Sequence, residues 1–179
     1  MTQPLFTTDY SNLDEDNNYD ALPKGNYECI VTKAQPDATP SGTENISITL
    51  QVRSDLDQAM PDTNGKYHKR LIFLNIWKRK KTGKYDANEI NRIMKAIGVP
   101  QGTSIATWDD FTDILVNKPV RVSLVLDKSE YNGKTTERNS VFPNGWHTTQ
   151  FPLQGTNTAA DPFKDSKEGT ELSDSDIPF

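Results

Sequence analysis

Ile46, Ile48, Leu50 and Val52 alternate with Asn45, Ser47, Thr49, Gln51 and Arg53, the period of two of a strand with one buried face. Upstream, Pro23-Lys24-Gly25 is turn chemistry and residues 26–33 read as extended. Residues 34–44 hold Pro36, Pro40 and Gly42 and read as a loop, and residues 55–66 as a polar connection with Pro61 and Asn64-Gly65. Residues 67–78 predict a long third strand with Ile72, Leu74 and Ile76 on one side and Leu71, Phe73, Asn75 and Trp77 on the other. A strand with two apolar faces is either covered twice or uses the second face to bind something.

The period then becomes helical. Ile90, Ile93, Met94 and Ile97 fall at i, i+3, i+4 and i+7 behind Asp86 and Glu89 as an N-terminal capping pair, and Gly98 is a C-terminal stop. A shorter helix starts at Thr107, with Asp109 and Asp110 in its first turn and Trp108, Phe111, Ile114 and Leu115 as its apolar side. Val120, Val122, Leu124 and Leu126 alternate again, and Asn132-Gly133 is a strong hairpin signal leading to a last strand at residues 134–142. Trp146 and His147 lie beyond it as a cap. Five short strands with one or two helices between the third and fourth predict a mostly β, five-stranded OB-type barrel over residues 21–147.

Outside that segment the periodicity disappears. Residues 1–20 read as a flexible acidic arm, residues 148–172 as a disordered linker and residues 173–179 as an acidic tip. A hydrophobic content of 34% and a mean hydropathy of −0.73 agree with a chain that is packed only in part. There is no apolar run long enough to cross a bilayer and no secretion signal at the start, and Cys29 is alone, so the chain reads as soluble and intracellular.

The net charge of −5 argues against a polyanionic partner until its distribution is considered. Residues 21–147 carry 18 Lys/Arg and 14 Asp/Glu, so a basic body lies between two acidic ends. Binding single strands without sequence preference needs cations along the phosphate path and aromatic faces for the bases. Trp77, Lys78, Arg79, Lys80 and Lys81 run into Lys84 and Tyr85, and Lys69 and Arg70 precede Phe73, which shares a face with Trp77. Arg53 ends the second strand, and Tyr131, Lys134 and Arg138 surround the hairpin that OB folds use as a clamp. These fourteen residues are the candidate nucleic-acid contacts.

Catalysis finds little support. His68 and His147 have no partner at a recognisable spacing, no glycine-rich phosphate loop is present, and neither a metal nor a cofactor is called for. Asp14-Glu15-Asp16 lies in the arm, and Asp109-Asp110 starts a helix where acids are favoured in any case. The expectation is a protein that is not an enzyme.

The end of the chain is Asp174-Ser175-Asp176-Ile177-Pro178-Phe179. Apolar residues closing an acidic segment suit a basic-rimmed apolar pocket on a partner. This stretch resembles the C-terminal tip of bacterial single-stranded DNA-binding proteins, with Ser175 where an acid is usual. The body, through Leu22-Pro23-Lys24-Gly25, Lys95-Ala96-Ile97-Gly98 and Asn117-Lys118-Pro119-Val120, is similar to a family of small phage and prophage proteins of Gram-positive bacteria that are themselves like single-stranded DNA-binding proteins. The resemblance implies a coat for single-stranded DNA in phage replication or recombination, acting in the host bacterial cytoplasm. It further implies that Asp174, Asp176, Ile177, Pro178 and Phe179 dock host or phage replication and recombination proteins. A recombination mediator or annealing protein and a protein-interaction module without DNA binding are the alternatives. Homo-oligomerisation and DNA against RNA preference stay open.

Overall fold

Alternation, turn chemistry and helix caps dictate most of the architecture of the computed structural model, which describes residues 20–154. The five main strands are β1 (Gly25–Ala38), β2 (Glu44–Val52), β3 (Leu71–Trp77), β4 (Pro119–Tyr131) and β5 (Lys134–Ser140). They form an antiparallel sheet in the order β3-β2-β1-β4-β5, and a two-residue β6 (Trp146–His147) pairs with β4. The alternating residues of β2 and β3 face one core, in which Ile46, Ile48, Leu50, Val52, Ile72, Leu74 and Ile76 are buried with Tyr27, Cys29, Val31, Val120, Val122 and Leu124. Each such side chain contributes about 1.5–3 kcal/mol of transfer free energy. The fold is mostly β and OB-type: the sheet curls until β3 and β5 line common clefts, yet no ladder joins them and the barrel is not closed.

The helices fill the place between β3 and β4. Asp86 caps α1 (Ala87–Ala96) by accepting from the Asn88 N–H at 2.9 Å. At the other end Gly98, at φ 84°, lets its own N–H reach the Lys95 carbonyl and the Val99 N–H reach Met94, which closes the helix. Thr107 and Asp110 form a reciprocal capping box, each bond 3.0 Å, that starts α2 (Trp108–Leu115). Ile93 and Met94 of α1 and Phe111 and Leu115 of α2 are buried against the sheet. Between β4 and β5, Asn132 and Gly133 both take positive φ, 52° and 72°, as a type I′ turn requires.

Three boundaries differ from the sequence reading. β1 continues through Pro36 to Ala38, where a loop was expected. Beyond Val31 its strand partner is β2 alone, and an edge tolerates proline's missing donor. β3 begins at Leu71, four residues later than expected, because the preceding residues turn instead of extending. A π-helical turn at Pro61–Gly65 buries Asn64, whose amide bonds both Glu28 backbone groups and the Arg53 carbonyl, and Lys69 takes φ 61° before the strand starts. The last strand stops at Ser140, and Trp146, expected as a cap, is buried in β6.

The segment after β6 is also tied down. The Glu28 carboxylate, fully buried, accepts from Thr149 Oγ1 at 2.6 Å and from the Gln150 N–H at 2.9 Å. Residues 148–151, where the sequence suggested a linker, therefore form a strap across β1 that supplies a buried carboxylate with its donors. The expected arm short of Asp20, the rest of the linker and the acidic tip lie outside the described residues.

Candidate nucleic-acid interface

Because Ile72, Leu74 and Ile76 point inward, the intervening residues of β3 must point outward. Leu71 is 46% exposed, Phe73 67% and Trp77 45%. The outer face of β3 looks toward β5 across the unpaired side of the barrel. Two concavities of about 330 and 190 Å3 lie along this seam. The larger is lined by Lys69, Arg70, Leu71 and Glu137, and the smaller by Trp77, Glu89 and Asp127. Phe73 and Arg138 line both, which makes them one continuous furrow.

The furrow carries cations and acids. Lys69 and Arg138 are exposed, and the Arg70 guanidinium donates to the Asp20 carbonyl. Glu137 is engaged by Lys128 at 2.9 Å. Burial, helped by the neighbouring Asp86 carboxylate and opposed by Arg79, raises the Glu89 carboxyl above its ordinary value. The basic loop leaves the end of β3 beside Trp77. In it Lys78 bonds Glu44 and Arg79 bonds Asp86, while Lys80, Lys81 and Lys84 are exposed and make no ion pair among the described residues.

A model of the family described as proteins of unknown function, DUF669, matches residues 6–162. The chain belongs to the DUF669 family. Comparison with curated proteins finds no match. Among solved structures, this DUF669 protein is similar to one described as yeast RPA bound to ssDNA, at 10% identity and a TM-score of 0.35, over 84% of this chain and 92% of that one.

Of the fourteen residues proposed from sequence, the structure brings Lys69, Arg70, Phe73, Trp77 and Arg138 to the furrow. It places Lys78, Arg79, Lys80, Lys81 and Lys84 on the loop at the furrow's end. Tyr85 is elsewhere: its ring stands edge-on to Trp108, centroids 4.5 Å apart, outside the furrow. Lys134 is exposed at the tip of the hairpin opposite Tyr131, whose side chain lies outside the described set, as do Asp174, Asp176, Ile177, Pro178 and Phe179.

Arg53 is a correction. Its side chain is 1% exposed and paired with Asp55, and it donates to the Phe151 carbonyl and to Thr149. The guanidinium anchors the strap and is out of reach of any ligand on the surface. Conversely, Leu71 belongs to the furrow although only the charged and aromatic members of its face were selected. Trp108, 41% exposed, and Phe142, 57% exposed, also lie outside the fourteen. Trp108 falls on the apolar side of α2, and at the first turn that side is only partly covered.

Proposed function

We propose that this protein is a non-enzymatic, sequence-tolerant binder of single-stranded DNA, and that the β3–β5 furrow is its binding surface. The observation that carries the reading is the outward row Leu71, Phe73 and Trp77 on a strand whose other face is core. Two aromatic rings left in water beside Lys69, Arg70 and Arg138 match the needs of unpaired bases and their phosphates. Duplex DNA hides its base faces and would meet only the cations. The OB-type architecture agrees, since such folds bind oligonucleotides on this strand face and with the β4–β5 loop.

The finer assignment rests on the sequence. The similarity of the body to phage proteins supports a role in phage replication or recombination. The resemblance of the terminal hexapeptide supports recruitment of partner proteins through Ile177, Pro178 and Phe179.

The test is fluorescence anisotropy with labelled oligo-dT and a matched duplex at two salt concentrations. Tight, salt-dependent binding to the single strand alone is expected. Phe73→Ala and Trp77→Ala should each weaken it by about 5- to 150-fold, equivalent to ~1–3 kcal/mol per stacked base, with thermal stability nearly unchanged. Unchanged affinity in both variants would remove the furrow from the path. No binding at low salt, even without residues 155–179, would overturn the reading.

A further inference from the structure

Where the furrow ends, a second aromatic concavity begins. Trp77 lines the furrow, whereas the next residue, Lys78, lines a groove of about 350 Å3 together with Lys84, Tyr85, Asn91 and Trp108. Helix α1 divides the two in the same way, with Glu89 on the furrow side and Ile90 and Asn91 on the groove side. Adjacent Cα atoms are about 3.8 Å apart, so the two sites meet at the end of β3. The exposed Lys80 and Lys81 sit on the loop that joins them.

Trp108 is the centre of this groove. Tyr85 holds its ring edge-on at 4.5 Å and 68°, and Phe111 does so from the helix at 5.8 Å and 78°. A ring fixed on two sides and still 41% exposed is a rigid platform that loses little freedom when something stacks on it. The Lys78 ammonium lies 5.5 Å from the Tyr85 ring centre, and Lys84 is on the same rim. An apolar floor with an ammonium rim suits a base carrying its phosphate; of the acids beside it, Glu44 is paired with Lys78 and Asp86 with Arg79, which leaves Lys84 as the rim cation without an ion pair among the described residues.

We propose that Trp108 is a second stacking platform, which receives bases of the same single strand after it has crossed the basic loop from the furrow. This inference rests on the reading of the furrow as a single-strand site and extends the path beyond it. Its signature is length: a short oligonucleotide fills the furrow alone, and only a longer one reaches Trp108.

The experiment measures affinity for oligo-dT from ~4 to ~16 nucleotides, the range of site sizes for one OB fold, using the full chain and its Trp108→Ala and Trp108→Phe variants. The expected result is wild-type affinity of Trp108→Ala for the shortest oligonucleotides that bind, a loss of about 5- to 150-fold for the longest, and substantial recovery in Trp108→Phe. Equal affinity of Trp108→Ala and wild type at every length overturns the proposal. So does an equal loss at every length, which would mean that the indole acts through the fold. Failure of the wild type to bind any length is a different result: it removes the furrow reading itself and this extension with it.

Discussion

Arg53 directly follows the apolar run of β2, and in sequence it is indistinguishable from a surface cation. Its burial depends on residues nearly a hundred positions away, because the strap at Thr149 and Phe151 closes over it. Arg53→Ala removes the donors to Asp55 and to the Phe151 carbonyl inside a covered site, at a cost of about 2–3 kcal/mol. The urea midpoint should fall accordingly, while the salt slope of oligonucleotide binding stays as in the wild type. Cys29 and Tyr27 make a prediction of the opposite kind. Burial first, and then the Glu28 carboxylate, push the Cys29 thiol well above its ordinary 9.0, and burial with Tyr67 pushes the Tyr27 phenol from 10.0 to about 12. The folded chain keeps these protons after the unfolded chain has begun to release them. Stability is therefore complete below pH 9.0 and declines as pH rises toward 12, by up to ~1.4 kcal/mol per pH unit for each proton. In Cys29→Ala the decline should begin near the tyrosine value instead, as urea titrations on either side of pH 9.0 would show.

At the scale of elements, legibility followed the locality of the cause. β2, both helix caps and the Asn132-Gly133 hairpin are specified by residues next to one another, and they appear where the pattern places them. The start of β3 is specified at a distance. Tyr67, Lys69 and Leu71 alternate like strand residues, but Asn64 must reach Glu28 and Arg53, which holds this stretch in a turn. Gly65 belongs to the same constraint, since a Cβ there would stand 2.7 Å from the Asp57 carbonyl. The strap was illegible for a similar reason: polar residues after the last predicted strand look like linker unless the buried Glu28 carboxylate is known to need donors. Its contribution can be measured by truncation. A chain ending at residue 147 leaves that carboxylate buried without Thr149 and Gln150, and should melt lower by on the order of 5–10 °C. A chain ending at residue 154 keeps both donors and should melt with the full-length protein. Equal melting of the two shortened chains would show that water replaces the strap at no cost.

For the whole molecule, the sequence names the residue types of a binding surface, while the curl of the sheet decides which of them meet. Phe73 and Arg138 share the furrow because β3 and β5 come together without hydrogen-bonding, an arrangement that leaves no trace in either strand's pattern. Charge is organised on the same scale. Residues 155–179 carry six acids and two lysines, whereas residues 21–147 have a net charge of +4. The acidic end is thus a polyanion attached to a basic body, and under the proposed function it would compete with single-stranded DNA for the same cations. The Debye length is about 30 Å at 0.01 M salt and about 10 Å at 0.1 M, so the competition belongs to low salt. Deleting residues 155–179 preserves the strap and should tighten oligo-dT binding several-fold at 0.01 M, with the difference closing by about 0.15 M. Ending the chain at 147 instead would confound lost repulsion with lost stability, so the deletion must begin after Gln154. A shortened chain that matches the full one at both salts would show that the acidic end does not reach the furrow. The furrow's affinity would then be set by the body alone.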